Sequence, residues 1–180
     1  ADFVEMGVLS TSDMRTFEAS AREVRLPLRM QDGTPRWVWS EPTLAPLSDG
    51  SLAMLLRFDG RGRLYRSLSR DGGQSWEEAE PTEIPNPANK PKLLPLRDGR
   101  IALLNTPDAR TGYAYRCPLA LWVSDDDMRT WKYRRDLVTF PGWLSYPDGI
   151  CSADGKQILF AFEFNRHDIY FMRADIPPAQ

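Results

Sequence analysis

The octapeptide Ser69-Arg70-Asp71-Gly72-Gly73-Gln74-Ser75-Trp76 constrains the fold of this chain more than any other stretch. It has the pattern Ser-x-Asp-x-Gly-x-Ser/Thr-Trp, and each residue type suits a tight turn. Asp71 can accept hydrogen bonds from backbone N–H groups two residues on, and Gly73 can take a positive φ. Ser69 and Ser75 offer further local bonds to the backbone, and Trp76 adds an apolar anchor with one donor. A strand is expected to end at Ser69 and another to begin after Trp76. The stretch therefore reads as a clamped β-turn, here termed a box. One box alone decides little, so copies matter. Ser124-Asp125-Asp126-Asp127-Met128-Arg129-Thr130-Trp131 is a degenerate copy with Met128 at the glycine position. Ser10-Thr11-Ser12-Asp13-Met14-Arg15-Thr16-Phe17 is a weaker one, with Ser12 at the aspartate position and Phe17 for the tryptophan. Starts at 10, 69 and 124 give intervals of 59 and 55 residues. That spacing predicts an all-β fold of four-stranded propeller blades with some long loops.

The strand order follows from the boxes and the turn signals between them. Fifteen prolines and seven Asp-Gly pairs predict many turns and little helix. Residues 1–30 read as the outer half of a blade, with strands Phe3 to Leu9 and Glu18 to Leu28 around the first box. Gln31 to Ser40 is a connection carrying Asp32-Gly33, Trp37 and Trp39, and the tryptophans are expected to pack on the next blade. Residues 41–85 form a full blade with strands Pro42–Leu47, Ser51–Phe58, Arg63–Ser69 and Glu77–Ile84. Residues 90–140 form another, with strands Pro91–Leu96, Arg100–Asn105, Cys117–Ser124 and Lys132–Phe140 and a long loop over Thr106–Tyr115. Residues 145–176 form an incomplete blade with strands Pro147–Ser152, Gln157–Phe164 and Asp168–Ala174. Its run Ile158–Phe162 is apolar throughout, as a strand buried on both faces should be.

A second repeat sets the register. Glu41-Pro42, Lys90-Pro91 and Tyr146-Pro147 each begin eight residues before an Asp-Gly turn, at Asp49, Asp98 and Asp154. Three blades thus open with X-Pro at one equivalent place, where proline at a strand's first residue is tolerated. Strands of a meander alternate direction, so the first-strand starts, second-strand ends and third-strand starts share one face. The boxes lie on the other. Glu41, Lys90 and Tyr146 therefore converge, with Arg57 or its neighbour opposite Glu41 across the Asp49 turn. Arg116 joins the same face, as do the loop with Asp108, Arg110, Tyr113 and Tyr115 and the turn with Asn165, Arg166 and His167. A cluster of Glu, Tyr and two Arg at a propeller's mouth could bind and process an anionic sugar. Arg57 paired to Glu41 as a plain structural bridge is the competing reading.

Composition removes other classes. A formal net charge of −2 offers no nucleic-acid groove. No stretch approaches a membrane span, and no secretory leader pattern opens the chain. Cys117 and Cys151 are too few for a disulfide framework and read as free thiols in strands. His167 is the single histidine, which rules out a multi-His metal centre and gives a Ser-His-Asp triad little support. No metal and no cofactor is expected.

Glu41-Pro42-Thr43 through Leu56-Arg57, the box Ser69–Trp76, Arg116-Cys117-Pro118-Leu119 and Ser145-Tyr146-Pro147-Asp148 together resemble the C-terminal half of a sialidase (neuraminidase) propeller of the BNR-repeat, or Asp-box, class. The likeness covers nearly the whole chain, and the ordered Glu, Arg, Arg, Tyr set is its most specific part. The resemblance implies that Tyr146 is the nucleophile of a glycoside hydrolase and Glu41 the base that draws off its proton. Arg57 and Arg116 would be two of three arginines clamping the carboxylate of an acidic sugar or glycan. It also implies an extracellular or periplasmic location. A tyrosine suits such a substrate because it stays neutral until a base helps it, and sialidases are an exception to the two-carboxylate rule for this reason. No motif matching the family's first arginine or its aspartate acid/base occurs here. The catalytic set is thus expected to be incomplete, as part of a six-bladed ring finished by remaining blades or a second chain. A non-catalytic carbohydrate-binding propeller and a structural Asp-box propeller are the alternatives.

Overall fold

The computed structural model describes residues 3–27 and 40–179. Trp37, Trp39, the Asp32-Gly33 turn and Leu28 lie outside the described residues. The rest is an antiparallel all-β arrangement of meandering sheets. Strands β1 (Phe3–Met6) and β4 (Val24–Pro27) pair, as do β2 (Leu9–Ser10) and β3 (Glu18–Ala19). Each of the two strands expected in this region is therefore split. Ser20 causes the break, bonding Val8 through both its backbone N–H and its Oγ. The next N–H, of Ala21, turns to the Gln74 carbonyl in the second box at 2.6 Å.

The first full sheet has the order β5 (Pro42–Pro46), β6 (Leu52–Leu56), β7 (Arg63–Ser69) and β8 (Glu80–Pro85). The second has β9 (Lys92–Pro95), β10 (Ile101–Asn105), β11 (Leu119–Ser124) and β12 (Tyr133–Val138). The third has three strands, β13 (Leu144–Cys151), β14 (Gln157–Phe164) and β15 (Asp168–Asp175). The first strand β9 neighbours both β5 and β13, which places these three first strands at the inner edge of the blades. Cys151 closes β13, whereas Cys117 lies just before β11; both are free thiols.

Packing follows the apolar pattern. Every residue of β10 and β11 is buried, because this middle sheet is covered on both faces. One face meets Leu55, Leu64 and Ile84 of the preceding sheet, and the other meets Ile158, Phe160 and Phe162 of the following one. In β14 the expectation of two buried faces fails. Ile158, Phe160 and Phe162 are buried, while Leu159 and Ala161 between them are only half-buried. Among the described residues no sheet covers that second face. Among them, too, no helix is long and apolar enough to cross a membrane.

The boxes clamp the hairpins, but with a longer reach than the sequence implied. Asp71 accepts from the N–H and hydroxyl of Ser75, four residues on, at 2.9 and 2.5 Å. Asp126 does the same with Thr130 at 2.9 and 2.6 Å. In the first box Asp13, not Ser12, is the acceptor, bonding the N–H and hydroxyl of Thr16 only three residues on. That box is one residue shorter: Met14 alone has a positive φ of 58°, where Asp127 and Met128 both do in the third box. Its hydroxyl partner is Thr11, which accepts from the Met14 N–H at 2.9 Å, as Ser69 accepts from Gly73 and Ser124 from Met128.

These bonds hold the three carboxyls at a pKa of about 2, against an ordinary 3.8. The leading causes are the Thr16 N–H for Asp13 and the Ser75 and Thr130 hydroxyls for Asp71 and Asp126. A depressed carboxyl stabilises the fold at pH values above its unfolded pKa, and that stability disappears as pH falls through the folded value. Melting temperature should therefore drop as pH falls from about 4 to about 2. A protein carrying Asp71→Asn and Asp126→Asn should melt lower at pH 7 and show a smaller acid-induced drop. Equal acid sensitivity in the variant and the parent, by circular dichroism melts, would refute this.

Candidate active site

The polar cluster forms where strand geometry brings three chain segments to the inner edge. Pro42 pairs with Leu56 in the β5–β6 ladder, which sets Glu41 beside Arg57 one step beyond it. Glu41 Oε2 accepts from Arg57 Nη1 at 2.8 Å, and Asp59 Oδ1 accepts from Arg57 Nε at 3.0 Å. Burial works against the Arg57 charge, but the Glu41 hydrogen bond and the Asp59 charge outweigh it and raise its pKa. The other oxygen of Glu41 accepts from the Tyr146 hydroxyl at 3.0 Å, across 105 residues of sequence.

Tyr146 reaches Glu41 because β13 is irregular. The strand starts at Leu144, earlier than expected, and its pairing with β14 shifts between Ser145 and Asp148. Tyr146-Pro147 sits in that bulge rather than at a strand start. A proline lacks the N–H a regular ladder needs, so the bulge is where it fits. Tyr146 takes a φ of 51°, unusual for a bulky side chain and a sign of local strain. Burial first, then the hydrogen bond and charge of Glu41, pushes its phenol above the ordinary tyrosine pKa. The group is thus a neutral phenol aimed at a carboxylate.

Arg116 stands just after the 3-10 turn Tyr113–Tyr115 and is 3% exposed. Its Nη1 donates to Ser145 Oγ at 2.9 Å and its Nη2 to the Ala88 carbonyl at 2.7 Å. The guanidinium lies over the Tyr113 ring at 4.3 Å. Burial and the nearby charge of Arg57 lower its pKa, although it stays a cation. Two buried guanidiniums that sense each other's charge are chemically suited to hold an anion.

Other residues on this face are differently engaged. Arg110 pairs with Asp108 at 2.6 Å and lies over the Tyr115 ring. Lys90 lies 3.9 Å from Asp148, whose main partner is Lys92 at 2.6 Å. His167 is exposed in a turn, its N–H bonded to the Phe164 carbonyl. Arg166 lies 6.0 Å from the Tyr113 ring, and Asn165 Oδ1 accepts from the Trp143 N–H. Among the described residues no group of His, Cys, Asp or Glu is placed to hold a metal ion. A concavity of about 770 Å³ lies elsewhere, between β8 and the third box, over Trp122 and Trp131. Neither Tyr146 nor Glu41 lines it.

Sequence reasoning missed the residues behind the cluster. Asn86, Asn89, Asn105 and Thr106 are all 1% exposed or less and bonded to one another. The signal was Pro85-Asn86-Pro87-Ala88-Asn89-Lys90-Pro91, where two asparagines in a proline-rich linker mark a side-chain-bonded turn.

These sheets, with hairpins clamped by aspartate and a Tyr–Glu–Arg cluster at the inner edge, define a segment of a sialidase-type propeller. The chain belongs to the BNR repeat-like domain family, whose model matches residues 16–159. A sequence comparison with curated proteins finds no match. Among solved structures, the intramolecular trans-sialidase of a leech, complexed with 2,7-anhydro-Neu5Ac, aligns with a TM-score of 0.70 at 21% identity over 94% of this chain. A Hadza microbial sialidase aligns with a TM-score of 0.71 at 18% identity over 94%. A NanB sialidase mutant from Streptococcus pneumoniae gives 0.68 at 21% over 93%. This chain spans 27%, 32% and 26% of those three chains.

Proposed function

We propose that this chain supplies the nucleophile, its base and two carboxylate-binding arginines of an exo-sialidase-like glycoside hydrolase acting on acidic sugars. The observation that carries the reading is the Tyr146–Glu41–Arg57 relay, with bonds of 3.0 and 2.8 Å on the two oxygens of one carboxylate. In the proposed reaction the Tyr146 oxygen attacks the anomeric carbon while its proton passes to Glu41. The bond to the leaving sugar breaks, and an acid elsewhere in the ring protonates the departing oxygen. Water then hydrolyses the glycosyl–tyrosine bond, its proton going to the conjugate base of that acid, and the proton held by Glu41 returns to the phenol. A neutral phenol avoids the repulsion that a carboxylate nucleophile would meet from the substrate's own carboxylate, which Arg57 and Arg116 bind. Remaining blades, or a second chain, complete the ring with the third arginine and the acid.

A non-catalytic propeller that binds acidic sugars is the second reading. It needs no turnover from the Tyr146–Glu41 pair, and the engagement of Arg57 with Glu41 and Asp59 fits a structural role for that arginine equally well. Steady-state kinetics on an aryl sialoside, beside calorimetric binding of the free acid sugar, separates the two. Arg116→Lys keeps the charge but loses the planar fork, and acid-sugar affinity is expected to fall about tenfold or more, with turnover following. An analogue lacking the carboxylate should be far less sensitive. Acid-sugar binding without turnover would establish the lectin reading, and unchanged affinity in Arg116→Lys would remove Arg116 from the site.

A further inference from the structure

We propose that Asn89 is a positioning residue, locking Arg116 and Tyr146 into one fixed relation; this rests on the sialidase-type reading above. The linker from Pro85 to Lys90 is folded around its own side chains. Asn86 Oδ1 accepts from the Asn89 N–H at 2.8 Å, and Asn86 Nδ2 donates to the Asn89 carbonyl at 2.9 Å and to Asn105 Oδ1 at 2.7 Å. Asn105 Nδ2 returns a bond to the Pro85 carbonyl at 2.9 Å. This folding puts Ala88 at a φ of 64° and turns its carbonyl onto Arg116 Nη2.

Asn89 then ties that anchor to the nucleophile's strand. Its Nδ2 donates to Thr106 Oγ1 and to the Leu144 carbonyl, both at 2.7 Å. Leu144 lies two residues before Tyr146, at the mouth of the bulge. The same segment is gripped by Arg116 itself, whose carbonyl accepts the Leu144 N–H at 3.0 Å and whose Nη1 bonds Ser145 Oγ. The result is a closed circuit of Ala88, Arg116, Leu144–Ser145 and Asn89. Its side-chain amides are fully buried, and a buried amide without partners destabilises a fold. An apolar linker would meet the needs of packing alone. A satisfied amide network instead fixes one geometry, and Asn89 is the member that joins its two halves.

The test is Asn89→Asp, which preserves shape but removes both donors and sets an acceptor against the Leu144 carbonyl. The intact protein is assayed with an aryl sialoside and with the free acid sugar, and hydrogen exchange is followed across 144–149. The expected result is a kcat lower by about 100-fold per folded molecule, the cost of a small misplacement of reacting groups. Acid-sugar affinity should also fall, through Arg116, and the Leu144 N–H should exchange at least about tenfold faster while β6 and β7 keep their protection. If Asn89→Asp does not fold, Thr106→Val takes its place, since it removes one acceptor of Asn89 without adding charge. Unchanged kcat and affinity per folded molecule, or faster exchange spread evenly over the chain, would overturn the proposal. A parent protein that neither binds nor cleaves these probes removes the functional reading; local exchange at Leu144 then decides the geometric claim by itself.

Discussion

In the completed propeller, Tyr146→Phe is expected to lower aryl sialoside turnover by about 10³-fold or more while affinity for the free acid sugar changes by less than about threefold. The substitution keeps the ring in the β13 bulge and leaves its strained φ of 51° unrelieved, so the fold should survive. Only the hydroxyl that donates to Glu41 is lost. Glu41 is left with its Arg57 bond, and its side chain is 23% exposed, enough for water to replace the phenol. In the proposed function the carboxylate is bound by Arg57 and Arg116, which the change does not touch. Kinetics and calorimetry on matched folded fractions give the answer. Near-parental turnover in Tyr146→Phe would take the nucleophile's role away from Tyr146.

The second large effect concerns stability. Trp76→Ala should cost about 3–5 kcal/mol, within the range seen for emptying a core aromatic site. Against a typical total of about 5–15 kcal/mol, a loss of that size leaves little margin for the fold. Trp76 closes the second box and is 2% exposed. It packs in a cluster with Val24 of the first hairpin and Met54, Leu56 and Phe58 of the next sheet, so its loss empties the seam between two blades. Its Nε1–H donates to the Gly73 carbonyl at 3.2 Å. Trp76→Phe keeps most of the volume and gives up that bond, so it should lose only about 1 kcal/mol beyond the volume change. Urea unfolding of both variants measures the difference; similar midpoints for alanine and parent would show that the box tryptophan is dispensable.

What could be read from the chain itself divides along physical lines. The clamped turns and the X-Pro repeat were legible because each depends on a few adjacent side chains. Glu41 beside Arg57 followed from counting residues on either side of the Asp49 turn. The first box was misaligned because the pattern was matched at constant length. The carboxylate of Asp13 needs only a hydroxyl two residues before it and an N–H within reach, and Thr11-x-Asp13 carried that signal. The Tyr146 bulge had no local sign, since no residue preference marks a tyrosine at positive φ; the surroundings impose it. Asn86, Asn89 and Asn105 stayed hidden for a related reason. Asparagine in a linker ordinarily serves its own turn, and burial of three at once depends on strands that are distant in sequence.

The third box does more than close its own hairpin. Asp127, at a φ of 59°, accepts from the backbone N–H and the hydroxyl of Ser48 at 2.9 and 2.5 Å, in the β5–β6 turn of the preceding sheet. The corresponding residue of the second box is Gly72, which has no side chain to extend; there the Gln74 carbonyl holds Ala21 instead. The second and third boxes are thus also latches to the strands before them, each made by whichever atoms the turn leaves free. In a duplicated module this arrangement separates two kinds of inheritance. The hairpin clamp can be copied unchanged, whereas the latch must be refitted to each new neighbour. A blade transplanted between two such proteins would carry its own turn intact and arrive with the wrong latch.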